Sequence, residues 1–215
     1  MGGKRNYRAN RCQRCRMIVA LCVCELIPQL VTRHRWIYVQ HASEQGKTTN
    51  TGRLAHLAMP QSQRAWYRSR VEPLDPKVDW GDLDDIFLLF PRTGAELVDP
   101  AVLQRSERPT TIVVLDGTWK QTRKMARTIG PLSGVRCVGL PEGAHARYSL
   151  RDETLKGGMS TLDAVAWLAG AAEGPDLAAR LDGLSRVVFE RTMASRGTPV
   201  PGGPHMSAAG LVEGT

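Results

Sequence analysis

The chain has 215 residues, 42% hydrophobic and 23% charged, enough to bury a real core as one domain with small additions. Its 29 Lys and Arg against 21 Asp and Glu leave a formal charge of +8 and a pI near 9.6, an excess that favours a polyanionic partner. No stretch reaches the roughly 20 apolar residues of a membrane span, and no long basic helix with a Trp/Phe/Leu face marks a membrane-surface protein, so nucleic acid is the expected partner.

At the N-terminus, Lys4, Arg5, Arg8, Arg11, Arg14 and Arg16 precede the apolar run 17–24, in the order of a signal peptide's charged and hydrophobic regions. The run is short, Glu25 follows it, no small-x-small cleavage pattern stands there, and two clustered cysteines lie inside it. A signal peptide is therefore rejected and a cytoplasmic location expected. Cys12, Cys15, Cys22 and Cys24 form C-x2-C-x6-C-x-C. Two thiolate pairs folded toward one another complete a tetrahedral four-cysteine zinc site, and a reducing compartment disfavours disulfides. The other readings are a redox or iron–sulfur role, or unligated thiols. A site closed by four cysteines has no open position for chemistry. Its task is to fold a small basic module over residues 1–30, for which zinc binding of about 10 to 16 kcal/mol in finger-like peptides suffices.

The segment 36–40 reads as a strand leading to His41 and the polar loop 42–50, and 51–58 as a short helix. Residues 71–85, with Pro73, Pro76 and the acids Glu72, Asp75, Asp79, Asp82, Asp84 and Asp85, form a connector. The run 86–90 is a fully apolar strand ended by Pro91, of the kind that suits a sheet covered on both faces. Residues 111–115 are a second such strand, closed by Asp116-Gly117. Thr118 and Gln121 then have capping-box spacing for a helix over 118–128, about 16 Å long. On it Lys120, Arg123, Lys124 and Arg127 share one face, a stripe that is either a solvated surface or a phosphate-binding one. Cys137 lies in the strand-like 135–140 as a small buried hydrophobe. After a loop 145–151 containing Arg147, Leu150 and Arg151, Ser160 and Asp163 again have capping-box spacing for a helix to about 171. A last helix covers about 176–195, and 196–215 reads as a disordered tail.

Alternating strands and helices predict an α/β fold with three or four parallel strands. Ligand sites in such folds lie beyond the carboxyl ends of the strands. The junctions at Phe90-Pro91, Leu115-Asp116-Gly117 and Leu150 to Thr161 are expected to converge there on one pocket. Asp116 is the candidate base or orienting group, or else a turn cap or a partner of a ligand's amino group. Trp119 either stacks on a base or anchors the core. Arg53, Arg147 and Arg151 are either phosphate or carboxylate partners or ordinary surface arginines. The N–H groups at the start of the Ser160 helix, with the Ser160 and Thr161 hydroxyls, offer a carboxylate site.

Asp116-Gly117-Thr118-Trp119 resembles the signature of the DTW-domain family, whose tRNA members are uridine aminocarboxypropyltransferases. The cysteine cluster, His41 with Glu44, Asn50 to Leu54, Leu89 to Pro91, Leu115 to Trp119, Arg147 to Arg151 and Ser160 to Ala164 occur in the family's order, over residues 12–195. Departures are Ala42 where proline often follows the histidine, a longer loop 45–49, and Asp163 for the commoner glutamate. The resemblance implies a SPOUT-like knotted fold, mostly parallel in its sheet and flanked by helices, with a catalytic core over 31–195. It implies transfer of the 3-amino-3-carboxypropyl group of S-adenosylmethionine to N3 of a tRNA uridine, releasing methylthioadenosine. On it, Asp116, Thr118 and Trp119 are catalytic. Phe90, Pro91, Leu115, Asp116, Gly117, Leu150, Arg151, Ser160 and Thr161 hold the cofactor. His41, Asn50, Arg53, Lys120, Arg123, Lys124, Arg127 and Arg147 meet RNA. The alternatives are a SPOUT methyltransferase and a non-catalytic zinc-dependent RNA-binding protein. No feature calls for an obligate protein partner.

Overall fold

The computed structural model describes residues 10–68, 74, 78–90, 97–140 and 159–197. Among the described residues six strands form one sheet: β1 (Arg35–His41), β2 (Gln63–Tyr67), β3 (Ile86–Leu89), β4 (Leu97–Val98), β5 (Thr111–Asp116) and β6 (Arg136–Val138). Their spatial order is β2-β1-β5-β3-β6-β4, and every pairing is parallel. The helices are α1 (Gly52–Ala58), α2 (Ala101–Arg105), α3 (Trp119–Thr128), α4 (Thr161–Ala172) and α5 (Pro175–Ser195). Strand β5 lies inside the sheet and is buried along its whole length, which is why its sequence is an unbroken apolar run rather than an alternating one. The sheet has two more strands than the sequence patterns predict, because β2 and β4 are edge elements.

Alternate residues of β1, β3, β5 and β6 serve two cores. Ile37, Val39, Tyr67, Leu88, Val113 and Leu115 pack beneath α3 through Met125, Ala126 and Ile129. Trp36, Tyr38, Phe87, Ile112 and Val114 pack on the other face against α1, α4 and α5. Cys15, Met17, Val23, Ile27 and Leu30 belong to that second core, so the cysteine-rich segment is built into the fold. Arg191 of α5 also donates to the Cys22 carbonyl. Helix α4 is held to α5 by Asp163, which accepts from Ser185 and from its own cap, Ser160. Burial raises the Asp163 pKa, and these hydrogen bonds oppose it.

Part of the acidic connector is described: Asp79 pairs with Arg35 at 2.7 Å, and Asp82 caps the turn Leu83–Asp85. Pro91, Arg147, Leu150, Arg151 and all but the start of the expected tail lie outside the described residues. Among the described residues, no helix is long and apolar enough to cross a membrane.

Candidate functional site

Parallel register puts Gln40 beside Asp116 at the carboxyl ends of β1 and β5. The two side chains share a face and meet, with Gln40 Nε2 2.8 Å from Asp116 Oδ2. Asn50, in the loop before α1, donates to the same oxygen. Thr161, the first residue of α4, donates to Oδ1 at 2.8 Å. Asp116 is only 5% exposed, so one carboxylate ties β1, the α1 entrance and α4 together. Burial raises its pKa, opposed by the hydrogen bonds from Thr161, Gln40 and Asn50. Oδ2 has two donors and Oδ1 one, which leaves Oδ1 the freer acceptor among the described residues. Gly52 is required beside it, since a Cβ there would stand 2.7 Å from Asp116 Cγ and Oδ2.

Gln40 is the residue the sequence motifs miss. Its amide nitrogen serves both Asn50 Oδ1, at 3.0 Å, and Asp116, while its buried Oε1 has no partner among the described residues. A polar residue closing the otherwise apolar run that starts at Trp36 was the available signal.

The mouth is built by the start of α3. Thr118 caps the helix and forms the capping box with Gln121. Gln121 Nε2 also donates to Ser43 Oγ at 2.9 Å, and Ser43 N–H donates to His41 Nδ1. That contact assigns the proton of the neutral His41 ring to Nε2. Burial lowers the His41 pKa, Glu44 opposes this, and Lys124 and Lys47 reinforce it. Trp119 is 43% exposed, its ring 6.0 Å from that of buried Phe90, so it is a surface plane and not a core anchor. Gly117 lies against Gln121 and His41, and Leu115 is buried beneath α3.

Two sequence expectations meet a different geometry. Arg53 is 4% exposed, and its guanidinium donates to the Gln45 and Lys47 carbonyls at 3.0 and 3.3 Å, so it braces the loop between β1 and α1. Asn50 is likewise buried within the Asp116 network. The first turn of α4 is also largely committed: Leu162 N–H donates to Thr51, Asp163 N–H to Ser160 Oγ, and Ala164 N–H to the Ser160 carbonyl. Thr161 N–H is the donor it keeps among the described residues. On α3, Lys120, Arg123 and Arg127 are exposed, and Lys124 Nζ sits 6.0 Å over the Tyr67 ring.

The four cysteines of the N-terminal segment converge as their spacing predicts. Their sulfurs lie within 4.8 Å of one another, with Cys12 to Cys24 at 3.5 Å and Cys15 to Cys22 at 3.6 Å. A Zn–S bond of about 2.3 Å implies sulfur separations of roughly 3.8 Å in a tetrahedron, so the donor set fits zinc. Backbone N–H groups of the Cys12–Cys15 turn lower the Cys12 pKa to about 6, while burial and the neighbouring thiols raise that of Cys24. The turn closes through Arg16 N–H to the Cys12 carbonyl, with Arg16 in the left-handed region at φ 65°.

Residues 9–193 match the family described as DTW domain. A protein named tRNA-uridine aminocarboxypropyltransferase 2 from Drosophila melanogaster is 25% identical over 179 residues, covering 79% of this chain and 70% of that one. Proteins of the same name from Macaca fascicularis and Mus musculus are each 25% identical, over 74% of this chain and 55% of theirs. The chain thus spans about half the length of these two mammalian relatives. No solved structure matches.

Proposed function

Because the chain belongs to the DTW-domain family, we propose that it transfers the 3-amino-3-carboxypropyl group of S-adenosylmethionine to N3 of a uridine in tRNA. The donor substrate supplies an activated carbon attached to a sulfonium. The uracil N3–H proton leaves, N3 bonds to that carbon, and the carbon–sulfur pair departs with methylthioadenosine. What supports the reading is the buried Asp116 carboxylate at the carboxyl ends of β1 and β5, at the centre of a basic protein whose relatives carry that name.

In this reading Asp116 Oδ1 accepts the N3 proton, and its raised pKa moves it toward the range where a general base works. Gln40, Asn50 and Thr161 hold the carboxylate in place. The orphaned Gln40 Oε1 is a further acceptor at this edge, as a ligand rich in N–H donors requires. Trp119 and Phe90 supply an apolar wall for a flat ring, and Thr161 N–H a donor for a carboxylate. Thr118 shapes the site as a helix cap. A knotted SPOUT-like path, with Pro91, Leu150 and Arg151 beside the donor substrate, belongs to the same proposal. So do a zinc-folded module over 1–30, a cytoplasmic location, and RNA contacts by His41, Arg147 and the α3 stripe.

The test is the by-product released when purified protein meets S-adenosylmethionine and unmodified tRNA. RNA-dependent methylthioadenosine is expected. S-adenosylhomocysteine instead means methyl transfer, and neither product with tRNA bound means a non-catalytic RNA-binding protein; both overturn the proposal.

A further inference from the structure

We propose that the edge strand β2, through Arg64 and Trp66, is a contact surface for the unpaired RNA segment flanking the reacting uridine, joining the α3 stripe to the cysteine module. The inference rests on the RNA-modifying reading above and adds a surface that reading does not require. Register places it. Gln40 pairs with Asp116 on one side and with Trp66 on the other, so Asp116, Gln40 and Trp66 form one row across three strands. Two strand spacings put Trp66 roughly 10 Å from Asp116 along the sheet, a place for a neighbouring nucleotide.

The chemistry of the edge suits that occupant. Trp66 is half-buried, and the exposed Arg64 guanidinium lies 5.2 Å from its ring centroid, a cation and an aromatic plane side by side. Unpaired bases stack on such planes, whereas a paired duplex hides its faces. Positive charge gathers behind the pair. Burial lowers the Arg53 pKa, the Arg16 and Arg64 charges lower it further, and the Asp116 and Cys15 charges oppose them, so three cations share a field with the site carboxylate. Among the described residues no carboxylate forms a salt bridge with any of the three, since the pairs there are Arg35–Asp79 and Lys47–Glu44. Arg16 Nε is buried without a partner among the described residues, while its Nη1 donates to Gln13. Tyr67, the next residue along β2, turns to the opposite face beneath α3, where Lys124 lies over its ring, so the α3 stripe lies around the sheet edge from Arg64 and Trp66. A polyanion crossing the Asp116 row meets cations on both sides of it.

The experiment titrates unmodified tRNA by fluorescence anisotropy over a salt series. Trp66→Ala is expected to weaken binding about tenfold or more, with Trp66→Phe recovering most of the loss. Arg64→Ala lowers the logarithmic salt slope by about 0.7, one phosphate contact. Arg16→Gly gives the same decrement with zinc content unchanged, because glycine suits the left-handed backbone there. Wild-type affinity and slope in Trp66→Ala and Arg64→Ala, with wild-type protein binding normally, overturn this surface and leave the proposed function standing. Failure of the wild-type protein to bind tRNA overturns both.

Discussion

Replacing Asp116 separates its charge from its hydrogen bonds. Alanine leaves three donors, Gln40 Nε2, Asn50 Nδ2 and Thr161 Oγ1, without their acceptor. A buried orphan costs about 1 to 3 kcal/mol, so the sum is about 3 to 9 kcal/mol, comparable with the whole stability of a domain. The Thr161 hydroxyl can rotate to another partner and a buried charge is removed, which puts the expectation in the lower half of that range. Asparagine keeps an oxygen for Gln40 and Asn50 and turns its amide toward the Thr161 oxygen. Asp116→Asn therefore folds at least as stably as the parent. Because the folded state holds the Asp116 proton more tightly than the unfolded chain, the parent loses stability as pH rises from the unfolded carboxylate range through the raised folded pKa. The asparagine variant lacks that loss, so its advantage grows with pH across the window and then levels off. Urea unfolding of the parent beside Asp116→Asn and Asp116→Ala, from about pH 4 upward, measures this. Transfer activity should fall by about 10² to 10⁴-fold in Asp116→Asn, the range for a general base. Asparagine as destabilising as alanine refutes the hydrogen-bond argument, and undiminished activity refutes the base.

Three further outcomes are expected. Gly52→Ala displaces the Asp116 carboxylate, since the new Cβ would sit 2.7 Å from it; activity should drop by about 10²-fold, and kcat/KM beside Tm shows whether the loss exceeds any change in stability. Cys12→Ser, or chelation of the parent, should lower Tm, because Val23, Ile27 and Leu30 of the cysteine-rich segment belong to the main core; metal analysis with thermal unfolding checks it. The triple change of Lys120, Arg123 and Lys124 to Ala should reduce the salt slope of tRNA binding by about 2 and leave cofactor affinity unchanged, as filter binding and calorimetry would show.

What was legible in the sequence was local. The strand ending at Asp116 and the Thr118–Gln121 box that starts α3 lie within a dozen residues, and each element's own pattern dictates it. The cysteine cluster was legible for the same reason. Strand β2 was not, because Gln63–Tyr67 is a short edge segment that opens with Gln and Arg, leaving no apolar run long enough to mark it. Gln40 reads as one polar residue among apolar neighbours until β5, 76 positions away, brings Asp116 to it. Arg53 looks like a surface cation from its type alone. It is buried because the loop 44–47 turns its carbonyls toward α1, an acceptor set that no helical or strand periodicity announces. The commitment of the α4 first turn likewise depends on Thr51, which is 111 residues from Leu162.

The most direct measurement incubates the protein and unmodified tRNA with S-adenosylmethionine labelled either in the methyl group or in the carboxyl carbon, and counts label retained on the RNA. Carboxyl label without methyl label is the predicted result and identifies aminocarboxypropyl transfer. Methyl label on the RNA, or no label from either preparation, contradicts it.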